Sequence, residues 1–441
     1  MTRHREVYYL AYEEDFGLSG FGGRLGPGGI PLADPPAVLA MAAETARAEE
    51  DGQLGRDVRL LLESPVPEAV VGGLWSALTG GRFDPGAHGL GARDWLRMIA
   101  QVCPAGTPDQ AHAERMDTAE PGPAVPEEEL RESVRAEIGA AAPALAGRVP
   151  LPDVADMLRR IVDEADADLG FRLFLRVLKA NAASVGEDQY ERLLGIGDRL
   201  AYPHAAVFED LTVRWRPLDA NRRDLGPRAG LPFLSAMFDG EWDAWRYEGS
   251  GTPHEHIGRL AHGDRGIAPG TQAAVLLQDV RLLSGSALSD DAVTALWRIA
   301  ARRSGADETF DADGRAWLRE IAEVCTAWLA GVAPSYVPGP PAHHDDLRES
   351  VLHEVRDIGP ALDQAVARQA PGAPGPAVTT LLRDTVTSAG PDLGFRLLLH
   401  LVDRYEVTIS RTQYDRYREI GARLGLVDAY IDQVSPHVRP L

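Results

Sequence analysis

Lysine is almost absent from this 441-residue chain. Lys179 is the only one, and arginine supplies the rest of the 45 basic residues. A Walker A lysine, a pyridoxal-binding lysine and a kinase-type lysine each need Lys in a defined context. Lys179 instead lies in the apolar-periodic run 171–180, so those three chemistries are excluded. Cysteine is nearly as scarce: Cys103 and Cys325 close two matching stretches, WLRMIAQVC at 95–103 and WLREIAEVC at 317–325. They read as small buried apolar residues rather than as a redox pair or metal ligands. No run approaches the roughly 18 apolar residues of a spanning helix, and the opening MTRHREVYYLAYEEDFG lacks the apolar core of a signal peptide. A cytoplasmic protein without membrane association is therefore expected. No GxSxG, HExxH, CxxC or EF-hand loop occurs, no Ser-His-Asp set recurs in both halves, and no cofactor is expected.

Positive charge is also short. Lys plus Arg total 45 against 66 Asp plus Glu, a net charge of −21. Such a chain is repelled by a phosphate backbone, so nucleic acid is not an expected partner, whereas a basic protein is. At 44% hydrophobic and 25% charged residues the composition is that of a globular protein.

What the chain does have is a repeat. Residues 168–200 read DLGFRLFLRVLKANAASVGEDQYERLLGIGDRL and residues 392–424 read DLGFRLLLHLVDRYEVTISRTQYDRYREIGARL, identical at 14 of 33 positions. DVRLL recurs at 57–61 and 279–283, Leu74-Trp75 at Leu296-Trp297, and LRESV at 130–134 and 347–351. The spacing changes only between these blocks, in stretches rich in Gly, Pro, Asp and His, so insertions fall in loops. This pattern points to an all-α tandem duplication. The expected layout is an N-terminal extension at 1–46 with a strand at 6–11 and a glycine-rich loop at 17–29, a first helical repeat at 47–217, an aromatic-rich connector at 218–253, and a second repeat at 254–441. Each repeat reads as a bundle of six to eight helices.

Apolar residues Leu393, Leu397, Leu401 and Tyr405 recur at helical spacing, broadened by Phe395, Leu398, Leu399 and Val402, and the first copy does the same from Leu169 to Leu178. Asp168 and Asp392 stand where a carboxylate caps a helix, and Gly170 and Gly394 fall in the first turn, where another helix can approach closely. A short extended segment at 407–409 precedes Ser410, a good N-cap for the helix that follows.

Candidate functional residues fall into four groups. Asp163, Glu164, Asp166, Asp168 and Glu127–Glu129 in the first copy, with Asp345, Asp346 and Asp392 in the second, form acidic sets that suit either helix starts or a surface steering a cationic partner. Arg172 and Arg396, in the repeated DLGFR, can position a carboxylate or phosphate, or pair with a neighbouring helix. Trp242 and Trp245, with Tyr247 in GEWDAWRYEG, make either a binding patch or a packing wedge. His254, His256 and His262, beside Glu255 and Asp264, have zinc-compatible residue types but no counterpart in the first copy, so no metal site is expected.

The set Gly390-Pro391-Asp392-Leu393-Gly394, then Tyr405-Glu406-Val407-Thr408-Ile409-Ser410 and Tyr414, resembles the small helical immunity proteins of the Maf type, from bacterial polymorphic toxin systems. The first copy departs from the pattern, with Asn181-Ala182 in place of Tyr405-Glu406 and Ser184-Val185-Gly186 in place of Thr408-Ile409-Ser410. The resemblance implies a non-enzymatic, acidic helical binder that neutralises a toxin by protein–protein contact. A helical scaffold or regulatory protein, and a biosynthetic enzyme with a polar cleft between its bundles, are the alternatives.

Overall fold

The computed structural model describes residues 2–3, 14–27, 29, 34–49, 52–103, 125–238, 252–302, 314–342, 344–370 and 376–439. The strand expected at 6–11 and the tryptophans Trp242 and Trp245 lie outside these residues. Among the described residues there are twenty α-helices, and the strands are two residues long each, so the fold is all-α. The chain divides into two compact units, Met1–Arg216 and Pro217–Leu441, each with its own apolar core. None of the described helices is long and apolar enough to cross a membrane.

In the first unit a two-residue pairing of β1 (Thr2–Arg3) with β2 (Val125–Pro126) accompanies helices α1 (Gly17–Leu25), α2 (Pro35–Ala48), α3 (Gln53–Glu63), α4 (Glu68–Leu78) and α5 (Ala92–Val102). Then come α6 (Glu127–Arg148), α7 (Val154–Glu164), α8 (Ala167–Ala180), β3 (Val185–Gly186), α9 (Glu187–Arg199), α10 (His204–Phe208) and β4 (Val213–Arg214). Helix α8 is the centre. Leu169, Phe171, Leu173, Phe174, Leu175, Val177 and Leu178 make it apolar nearly all round, and all of its residues are buried, against α1, α4, α6 and α7. Gly170 sets the approach of α7: a Cβ there would lie 2.5 Å from Cγ2 of Val162.

The second unit contains α11 (Gly230–Met237), α12 (Pro253–Ala261), α13 (Thr271–Ser284), α14 (Asp290–Ala300), α15 (Gly314–Val332), α16 (Arg348–Gln369), α17 (Val378–Ser388), α18 (Pro391–Arg404), α19 (Arg411–Leu424) and α20 (Asp428–Asp432). Helix α18 is the buried centre here, and a Cβ on Gly394 would lie 2.4 Å from Cγ2 of Val386 on α17. Ser410 caps α19 in a reciprocal box with Gln413. The expected extended segment before it pairs Ile409 with Val438, as β3 pairs with β4 in the first unit. Trp75 meets Trp95 edge-on at 5.6 Å between ring centroids, and Trp297 meets Trp317 at 5.5 Å.

Three expectations give way. The glycine-rich stretch after residue 16 is helical across Gly17–Leu25, with Phe16, Leu18, Phe21 and Leu25 in the core. Its glycines admit neighbours: a Cβ on Gly22 would sit 3.4 Å from Leu78 Cβ, and one on Gly23 would sit 2.9 Å from Arg176 Nη1. Packing thus outweighs the poor helix propensity of glycine. Similarly, Gly230–Met237, inside the stretch taken as a connector, is a helix whose Leu231 and Leu234 enter the second core. Nor do Asp168 and Asp392 cap their helices. Asp166 caps α8 by accepting from Leu169 N at 2.8 Å, and Gly390 holds the N-cap position of α18. The two carboxylates sit within the first turn and face inward.

Candidate functional site

The charged residues common to both halves meet one another inside the cores. In the first unit, Arg172 on α8 and Asp57 on α3 are 3% and 0% exposed, and the guanidinium donates through Nη2 to Oδ1 at 2.7 Å and through Nη1 to Oδ2. Asp57 also accepts from Leu18 N at 2.8 Å and Gln53 Nε2 at 2.7 Å. Asp168 lies 3.7 Å from Arg172 Nε and accepts from the hydroxyl of Tyr202. In the second unit Arg396 donates to both oxygens of Asp279, and Asp392 accepts from Arg396 Nε (3.2 Å) and Nη2 (3.0 Å). Arg223 adds donors to Asp392 at 3.0 and 2.8 Å, and Leu231 N reaches Asp279 at 2.9 Å.

A charge taken from water into a core is costly unless it is paired and hydrogen-bonded. Both clusters meet that condition by bidentate geometry, which suits the planar guanidinium. Burial alone would lower the Arg172 and Arg396 guanidiniums, but their aspartates outweigh it and hold them well above the ordinary value. Burial alone would raise the Asp392 carboxyl, but Arg396 and Arg223 outweigh it and hold it well below the usual carboxylate range. A glycine with left-handed φ completes each cluster. Gly17 (φ +62°) and Gly230 (φ +70°) start α1 and α11, and a Cβ on them would fall 2.2 and 2.4 Å from the carboxylates of Asp57 and Asp279.

Two further shared sets escaped the sequence reading. Glu137 on α6 takes Arg192 of α9 through Nε at 2.6 Å and Nη2 at 3.2 Å, and Glu354 on α16 takes Arg416 of α19 at 2.5 and 2.9 Å. Arg93 donates to the carbonyls of Leu62, Ser64 and Val66, and Arg315 to those of Ser284, Ser286 and Leu288, so each ties down the turn after a preceding helix. The signal was present in the repeated blocks: Glu at the eighth position from Leu130 and from Leu347, and Arg two residues before Trp95 and Trp317.

The remaining candidates are dispersed. Asp163 pairs with Arg135 at 2.6 Å, Glu164 with Arg160 at 2.8 Å, Glu129 with Arg199 at 2.8 Å, and Asp346 with Arg423 at 2.5 Å, all on exposed faces. Such pairs contribute about 0–1 kcal/mol each. His254 is exposed beside Glu320, His256 is buried edge-on to Phe238, and His262 lies 3.9 Å from the Trp328 ring, so the three do not converge. Among the described residues no group of three His, Cys, Asp or Glu is placed to hold a metal ion. The thiols sit in separate cores, where burial, with Glu49 adding to it for Cys103, pushes Cys103 up to about 11 and burial pushes Cys325 up to about 12.

One further polar constellation lies in the first unit. A cavity of about 540 Å³ is lined by Asp15, Thr45, Glu49, Arg176 and Lys179, with Arg24 and acidic residues at its mouth. Lys179 donates to Asp15 at 3.0 Å and to the Ala206 carbonyl at 2.8 Å. At the matching places of the second unit stand His400 and Asp403.

No family model, curated protein or solved structure matches this chain.

Proposed function

We propose that the protein is a non-enzymatic, acidic helical binding protein whose partner is a basic protein, and that it acts as an immunity protein does, covering a toxin by direct contact. The observation that carries this is where the charge resides. Among the described residues nine carboxylates and five cations are buried, so most of the 21-charge surplus of acid remains outside the cores, available to a cationic surface. An acidic field of that size accelerates encounter with a positive partner and disfavours acidic competitors. The charged side chains that the halves share are bound into helix–helix contacts, so they serve packing rather than chemistry, which supports a non-enzymatic reading. The repeat itself, read as a fused duplication, would give two comparable acidic units to a single partner or to two.

The toxin component draws on the resemblance around residues 390–414. There the matched tyrosines serve packing: Tyr405 donates to the Ile299 carbonyl at 2.8 Å, and Tyr414 donates to Asp432 at 2.5 Å. The test is purification of the full chain from its native cells at low ionic strength, with the retained protein identified by mass spectrometry and eluted by a salt gradient. Screening lengths fall from about 30 Å at 0.01 M to about 3 Å at 1 M. A stoichiometric basic protein released by salt is expected. Retention of no protein, or of an acidic one indifferent to salt, contradicts the proposal.

A further inference from the structure

Arg176 is 6% exposed, yet its guanidinium is poorly served. It can donate five hydrogen bonds. Its Nε has no hydrogen-bond partner among the described residues, and its nearest ion pair is long, Nη1 lying 3.6 Å from Asp15. Asp15 is already engaged by Lys179, and the Glu49 carboxylate accepts from Gly17 N at 2.8 Å and Leu54 N at 2.7 Å. A buried cation with open donors is expensive to keep unless something fills them.

The surroundings keep space for such a group. Arg176 lies along the bare backbone of α1 and its C-terminal end: a Cβ on Gly23 would fall 2.9 Å from Nη1, and one on Gly26 3.5 Å from Nη2. The cavity of about 540 Å³ opens beside it, with Lys179 at its side and Arg24 at its mouth, where Arg24 Nη1 is held by Thr45 Oγ1 at 3.0 Å. The second unit carries different residues at the matching place. There His400 donates through Nε2 to the Ala300 carbonyl at 2.9 Å, with Ser235 Oγ 3.1 Å from the same nitrogen, and Asp403 replaces the lysine. The guanidinium and the ammonium at these two places are therefore particular to the first unit.

We propose that this cavity binds a small molecule through one oxyanion, a carboxylate or a phosphate, seated on the Arg176 guanidinium with Lys179 and Arg24 flanking it. The mouth selects the rest of the ligand. Glu14, Glu209 and Asp210 line it and repel polyanions, so the remainder of the molecule is neutral or cationic. This site is independent of the partner that the acidic surface takes.

Titration calorimetry on the full chain at low ionic strength, with acetate and with inorganic phosphate as separate probes, tests it and distinguishes the two oxyanion types. Saturable binding of at least one probe is expected, weakened tenfold or more by Arg176→Gln and unchanged by His400→Gln in the other unit. Gly23→Ala supplies a second variant that favours the helix while its methyl displaces the guanidinium, and it is expected to weaken binding as well. No saturable binding of either probe, or wild-type binding by folded Arg176→Gln or by Gly23→Ala, overturns the proposal.

Discussion

Asp392 shows how a side chain that looks reactive in sequence is spoken for in structure. Two guanidiniums surround it, and their attraction exceeds the cost of burial, so its carboxyl ionises well below the usual range. The consequence for stability has a definite sign. A carboxyl whose folded value is depressed contributes stability that is fully present above the unfolded value of about 3.9 and is lost as pH falls from there toward the folded value. The second unit is therefore expected to weaken in acid below about pH 4, and Asp392→Asn to flatten that slope while lowering stability at neutral pH. Acid titration of hydrogen-exchange protection in α18 measures both, and an unchanged slope in the variant would remove Asp392 from the account. Arg172, Arg396, Asp168 and Asp392 could be singled out from the repeated DLGFR, and the ion-pair alternative for the arginines was available from chemistry alone. Their partners were not. Asp57 and Asp279 stand more than a hundred residues away, in a repeated DVRLL that gives no hint of which helix it faces.

At the scale of the element, periodicity located what periodicity encodes. Helices with a continuous apolar face, such as α7, α8, α18 and α19, stand where that face predicts, and Ser410 announces its helix because its capping chemistry is local. Helices α1 and α11 were missed for the opposite reason. The glycines of α1, and Gly230 with Pro232 in α11, lower helix propensity, and what stabilises these helices is contact with α3 and α8 and with α13 and α18, which a local pattern does not contain. Asp168 and Asp392 were misplaced as caps because a carboxylate near a helix start has two uses, and only the facing helix decides between them. The start of α1 makes a sharp prediction. Gly17 and Gly81 both have left-handed φ, at +62° and +74°, but a Cβ on Gly17 would strike Asp57 and Arg172, whereas one on Gly81 would meet nothing within 4 Å. Gly81→Ala is expected to cost only the backbone penalty of about 1–2 kcal/mol, and Gly17→Ala clearly more, as read by denaturant unfolding of each variant. Equal costs would mean that the cluster tolerates displacement.

For the whole molecule, charge was the most legible property and the site the least. A surplus of 21 carboxylates can be counted, and it favours a cationic partner whatever the fold. The Arg176 cavity could not be foreseen, since it arises from what the two units do not share and from glycines that leave space. The central claim is that the charges common to the halves lock each unit together and leave the surface to do the binding. Double-mutant cycles on Asp57 with Arg172, and on Asp279 with Arg396, followed by native-state hydrogen exchange in the helices of each unit, test it most directly. Arg172→Met or Arg396→Met alone should cost its own unit about 3–5 kcal/mol, because an aspartate is left buried and unpaired, and adding Asp57→Leu or Asp279→Leu should recover part of that loss. Single variants that exchange like the wild type, with no coupling in either unit, would contradict the claim and return these arginines to the list of ligand-binding groups.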